Sequence, residues 1–182
     1  MPSRRQFIWG LGTAFVGGFA GIASLKTTTG IVKQKSINVG LQRESGNPFD
    51  LTIAHVTYSQ DQKLVMIDYA NIIREVIEDG SLFVSKSTHE RLANQFAYVD
   101  YFVNIVPSTG PTTANGFLSR TGFNSLEMGG TAKVIPYMKP VELNHSVGHV
   151  KLIESTPPKD ISKKTKIYEY NFEDRVKRFS KN

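Results

Sequence analysis

The residues best suited to chemistry in this chain are its four histidines, His55, His89, His145 and His149. His145-Ser146-Val147-Gly148-His149 sets two rings four positions apart. On a helix that spacing turns both imidazoles to one face, where they converge on a divalent metal. Gly148 and the neighbouring valines favour a strand or turn instead, and along a strand the two rings lie about 13 Å apart. A bend at Gly148 restores convergence, with His55 or Glu142 as a third ligand. Zinc or copper is the cofactor of that reading; no cofactor is expected otherwise. The remaining chemistry is thin. No Gly-x-Ser-x-Gly elbow accompanies the histidines, so a serine triad cannot be assembled. There is no Walker pattern and no Gly-x-Gly-x-x-Gly. Asp61, Asp68, Glu75, Glu78 and Asp79 fall at helical spacing, as on a solvated face. Asn144-His145-Ser146 is a glycosylation sequon, meaningful only in a host that glycosylates exported proteins. Cysteine is absent. Thiolate zinc, blue copper, iron–sulfur clusters and covalent haem are therefore excluded.

The elements that would position these groups can be read from periodicity. Ile31 to Arg43 alternates as a strand, with Ile37, Val39 and Leu41 on one side and Ser36, Asn38 and Gln42 on the other. Glu44-Ser45-Gly46-Asn47-Pro48 is turn chemistry, and Leu51 to Tyr58 alternates again, which predicts a hairpin. Ser59-Gln60-Asp61-Gln62 matches a capping box. After it Val65, Tyr69, Ile72, Ile73 and Val76 mark one face of a helix that stops at Asp79-Gly80. A second box at Ser87-Thr88-His89-Glu90 precedes Leu92, Phe96, Val99, Val103 and Val106, a second helix ending at Pro107.

Pro107 to Gly130 carries five glycines and two prolines among serine, threonine and asparagine. It reads as a loop longer than compact domains usually tolerate without a purpose. Gly-Phe-x-Ser occurs in it twice, at Gly116 to Ser119 and Gly122 to Ser125, with Arg120 between. Phe117 and Phe123 in a polar loop suggest a surface that docks a partner. Thr131 to Tyr137, Val141 to Glu154 and Lys166 to Phe172 are β-like, and Glu173 to Phe179 forms a short helix.

Composition is 40% hydrophobic and 10% aromatic, a folded globule rather than a disordered chain. Charge is unevenly placed. From Lys26 to Pro158 there are 12 basic and 12 acidic residues; from Lys159 to Asn182 there are 8 and 4. The basic excess, including Lys163, Lys164 and Lys166, suits an acidic partner or an anionic membrane surface. The neutral body argues against nucleic acid.

The first residues, Met1-Pro2-Ser3-Arg4-Arg5-Gln6-Phe7-Ile8, precede an uncharged run from Phe7 to Leu25 that holds five glycines. Paired Arg4 and Arg5 between Ser3 and Phe7 resemble the signal read by the twin-arginine export pathway. The resemblance covers about the first 25 residues. It implies the export machinery as a partner, and a protein at the outer face of the cytoplasmic membrane, in a periplasm or outside the cell. The 19 uncharged residues nearly match the roughly 20 that span a bilayer, so an uncleaved segment is a transmembrane anchor. Gly21-Ile22-Ala23 is the alternative, a small-x-small cleavage site.

The domain plan is thus a signal or signal-anchor helix at 1–25, a linker at 26–30, one domain at 31–172 and a basic tail at 173–182. Its fold class is α+β, a mostly antiparallel sheet with two central amphipathic helices. The function expected is a non-catalytic exported or membrane-tethered protein, an accessory subunit that binds another protein. Phe117, Arg120 and Phe123 of the 107–130 loop, with Lys163, Lys164 and Lys166, are the contact residues. The alternative is a small metal-dependent enzyme or metal-binding protein using His55, His145 and His149.

Overall fold

In the computed structural model the described residues are 27–42, 48–107, 113–141, 145–159 and 164–180. Ten strands dominate. They are β1 (Thr28–Leu41), β2 (Phe49–Ser59), β3 (Leu64–Ala70), β4 (Ile77–Glu78), β5 (Ser81–Leu82), β6 (Val99–Pro107), β7 (Ala114–Leu118), β8 (Thr131–Val141), β9 (His145–Thr156) and β10 (Lys164–Tyr170). Three α-helices accompany them, α1 (Lys86–Gln95), α2 (Arg120–Asn124) and α3 (Phe172–Ser180), with a 3-10 segment at Asn71–Val76.

The long strand β1 organises everything else. One of its edges pairs with β6. The other is shared: Thr28 to Ile31 pair with β8, and Gln34 to Leu41 pair with β2. Through β8 the sheet closes on itself in the order β1-β6-β7-β9-β8-β1, a five-stranded barrel. Through β2 the same strand feeds an open wing, β2-β3-β10. The register shift at Val32/Gln34 of β1 lies where the two halves part, and a second, with Ile53 of β2 as its extra residue, lies within the β1–β2 pairing; irregularities of this kind bend a strand. All pairings in the large sheet are antiparallel except β7–β9 and β10–β3.

The expected α+β fold is corrected by these strands. Val65, Tyr69, Ile72, Ile73 and Val76 do recur at helical intervals, but Leu64 to Ala70 also alternates with period two. Val65, Ile67 and Tyr69 are buried and Met66 and Asp68 exposed, the signature of a strand. Ile73 and Val76 then enter the core from the 3-10 segment. The second expected helix stops early. Ser85, not Ser87, is the N-cap, its side chain accepting from Thr88 N at 3.0 Å. The helix ends at Gln95, and from Val99 the chain is β6. Val99, Val103 and Ile105 are β-branched and gain more from a pleated, half-buried surface than from a helix. The expected loop 107–130 also has structure. Its two Gly-Phe-x-Ser copies adopt different states: Phe117 lies in β7, whereas Phe123 lies in α2, which Ser119 caps by accepting from Gly122 N at 3.2 Å. The β1–β2 hairpin, β8, β10 and the short terminal helix match expectation.

Among the described residues no helix is long and apolar enough to cross a membrane. The α+β body gives way to a mainly β protein built round a barrel, and the expected signal and transmembrane helix find no support among the described residues. Arg4, Arg5, Phe7 and the 7–25 run lie outside the described residues, as do Glu142 and Lys163.

The core fills the barrel and continues beneath the wing. Ile37, Val39, Val103, Ile105 and Val134 are fully buried in the barrel, and Ile53, Val56 and Ile67 in the wing. Helix α3 packs Phe172 and Val176 against that core. The Phe172 ring meets Phe96 edge-on at 5.7 Å, and the Arg175 guanidinium lies 4.4 Å over Tyr170.

Candidate functional site

Side chains alternate across each barrel strand. Tyr101, Val103, Leu118, Val150 and Val134 are buried inside, so their neighbours point outward. On the outer wall this places four rings in one row across four adjacent strands. Phe102 of β6 pairs with Phe117 of β7, Phe117 with His149 of β9, and His149 with Tyr137 of β8. Phe102 and Phe117 meet edge-on with centroids 5.7 Å apart. Phe117 and His149 are tilted at 5.8 Å, and His149 stacks on Tyr137 at 5.4 Å. Such pairs contribute roughly 0.5–1.5 kcal/mol each beyond their buried area. They fix the rings in place as well as covering the wall. Tyr137, at the end of the row, is 42% exposed.

Beside the row lies an incomplete polar group. Asn104 pairs with Asn115 one step along from the Phe102–Phe117 pair. It is buried, and its side-chain Oδ1 lacks a hydrogen-bond partner among the described residues. A buried acceptor without a donor costs about 1–3 kcal/mol, and this atom lies beneath the surface, out of reach of anything that covers the wall. Gly116 makes the row possible. A Cβ there would stand 2.8 Å from Gly148 O and 3.0 Å from His149 C. Only glycine lets β7 approach β9 closely enough to set Phe117 against His149.

The interior holds a second unusual group. Lys35 is 0% exposed, on the side of β1 that carries Ile37 and Val39. Its Nζ lies 2.8 Å from Leu82 O, 2.8 Å from Leu126 O and 3.4 Å from Ser81 Oγ, and 4.3 Å over the Phe123 ring. Burial pushes its pKa down to about 7, against the opposing charge of Glu127. The geometry serves both forms. The ammonium donates to all three oxygens; the neutral amine donates to the two carbonyls and accepts from the Ser81 hydroxyl. Ser81, Leu82, Leu126 and Glu127 also line a cavity of about 630 Å³ between the β4–β5 turn and the segment after α2. Lys35 thus bolts the walls of that cavity together from behind. The interior polar chain continues to Tyr101, whose ring lies 5.2 Å from Phe123 and whose hydroxyl is 2.8 Å from His89 Nδ1. Burial, more than any neighbouring charge, pushes the Tyr101 hydroxyl up to about 12.

The structure separates several residues grouped by the sequence. His55 of β2 and His149 of β9 occupy the same row of the sheet, but β1, β6 and β7 intervene. His55 is drawn down from its usual pKa by burial and Arg175, opposed by Asp68. The backbone of His145 is extended in β9, not helical. Among the described residues no group of three His, Cys, Asp or Glu could hold a metal ion. Of the expected contact residues, Phe117 lies in the outer row. Arg120 donates to Val84 O at 2.9 Å, and Phe123 is fully buried under Lys35. Lys164 and Lys166 stand on β10. Lys35 and Tyr137 were not singled out by sequence. Lys35 did leave a signal, as a lysine in phase with the apolar positions Ile37 and Val39. Tyr137 left none, since its meeting with the other rings depends on register between distant strands.

No family model, no curated protein and no solved structure matches this chain. Its function has to be argued from these surfaces.

Proposed function

We propose that this chain is a non-catalytic binding protein that docks another protein on the outer wall of its barrel. The observation behind this reading is the row Phe102, Phe117, His149 and Tyr137, of which Tyr137 is 42% exposed. Rings held by each other lose little conformational freedom on binding, which is why tyrosine and its relatives anchor protein interfaces. A base-stacking platform fits less well. It needs open ring faces and a basic groove, whereas three of these rings are half-buried against their neighbours. Phe117 keeps the contact role the sequence suggested. Arg120 and Phe123 serve the interior instead.

The test is a photo-crosslinking residue placed at Tyr137 in the native host, with the same residue at Phe83, far along the chain and 43% exposed, as control. A discrete protein adduct at position 137, absent at 83 and lost when Phe117 is changed to serine, supports the reading. Equal labelling at both positions, or an adduct with nucleic acid, sinks it.

A further inference from the structure

The strand β10 ends the large sheet. It pairs with β3 on one edge, in parallel, from Lys164↔Leu64 to Tyr170↔Ala70. Six of its seven residues are exposed. Its exposed side chains are not those of an edge adapted to water. On the core face, Val65 and Ile67 of β3 are buried, yet Ile167, level with Ile67, is 53% exposed. On the opposite face, Tyr168 is 51% and Met66 39% exposed. The apolar core therefore runs off the edge of the sheet, and a row of backbone donors and acceptors accompanies it. Exposed edges of this kind are templates for another strand.

We infer that the missing strand is β10 of a second copy, paired antiparallel across a two-fold axis at Ile167. The sequence of the strand, Lys164-Thr-Lys-Ile-Tyr-Glu-Tyr170, argues for this occupant. A two-fold axis perpendicular to a continuous antiparallel sheet sets like-facing residues opposite each other. With Ile167 against its own copy, Lys166 faces Tyr168 and Thr165 faces Glu169, each pair occurring twice. The basic half of one strand then lies along the tyrosine and glutamate half of the other, and the ammonium of Lys166 meets an aromatic ring. Sliding by one pleat toward the N-terminus sets Lys166 against Lys166, a like-charge clash. Sliding the other way sets Ile167 against Glu169. The central register alone covers the exposed isoleucine while keeping like charges apart. This surface lies on the wing and does not depend on the aromatic wall.

The chain contains no cysteine, so one introduced thiol reports on one position. The Ile167→Cys full-length protein places two thiols across the axis, within disulfide reach. Mild oxidation is expected to yield a covalent dimer, and Phe83→Cys, at a position also well exposed but off the edge, is expected to stay monomeric. In sedimentation velocity over a roughly hundredfold concentration range, the unmodified chain is expected to shift from monomer to dimer. Ile167→Lys, which sets two ammonium groups face to face, is expected to weaken that association at least tenfold without a comparable loss of thermal stability. A monomer at every concentration overturns the proposal. So does a dimer that survives Ile167→Lys, or equal cross-linking at positions 83 and 167.

Discussion

The barrel and the wing are two halves of one sheet, drawn from the same strand, and they end differently. The barrel closes when β8 returns to Thr28–Ile31 of β1, so its inward side chains have no route to water. The wing stops at β10, where Ile167 is 53% exposed although its neighbour Ile67 is fully buried. Closure leaves the barrel with no free edge there and turns its variation outward, into a row of rings. The open wing ends, among the described residues, in a strand edge. In the two proposals above, one half offers side chains to a partner and the other offers main chain.

If that contrast is right, interior changes in the barrel should be far more costly than edge changes in the wing. The largest effect expected is from Phe123→Ala. It removes a fully buried ring that packs on Tyr101 and lies under the Lys35 amine, at a cost of about 3–5 kcal/mol, readable by urea denaturation. Lys35→Met follows. Near pH 9, where the amine is mostly neutral, it leaves Leu82 O and Leu126 O without a donor and should cost about 2–4 kcal/mol.

Lys35 also predicts a pH dependence. Its pKa falls from 10.5 in the unfolded chain to about 7 in the fold, so between those values the unfolded state holds more protons. Stability should rise with pH across that window and stay at its lower level below pH 7. Denaturation midpoints measured from pH 6 to pH 10 should slope upward in the parent chain and lie flatter in Lys35→Met. A midpoint that falls over this range would show that the ammonium is favoured inside.

Gly116→Val is next. Its side chain collides with the Gly148 carbonyl and should cost about 1–3 kcal/mol. It should also part β7 from β9, so the Tyr137 crosslink weakens with it. The smallest effect expected is from Tyr168→Thr on the wing edge, within about 0.5 kcal/mol by the same denaturation. A loss above about 2 kcal/mol there would mean that the edge is structurally needed in the monomer, and would erase the contrast.

The strands with one clean period were legible in the sequence. Ile37 and Val39 against Ser36 and Asn38 located β1, and the hairpin to β2 followed from the intervening turn residues. The middle was not legible, because Leu64 to Val76 satisfies both periods. Only burial between β2 and β10 decides for the strand, and a long-range partner leaves no local mark. The same limit hid the aromatic row. Phe102, Phe117, Tyr137 and His149 are scattered in sequence and become neighbours only through the β6-β7-β9-β8 order. Residues adjacent in sequence misled in turn. Gly116-Phe117 and Gly122-Phe123 look alike, yet one phenylalanine faces out and the other is the fully buried base of the Lys35 site.

The double duty of β1 also sets the order in which this protein can assemble. Its pairing with β2 is local, so a hairpin can form while most of the chain is still to come. Its pairing with β8 joins residues separated by about a hundred positions, a loop whose closure is slow and late. During synthesis the wing's first strands are therefore available well before the barrel can shut. Until β8 arrives, the Thr28–Ile31 edge stands open, and a chain stalled before residue 131 carries that edge as an aggregation-prone feature.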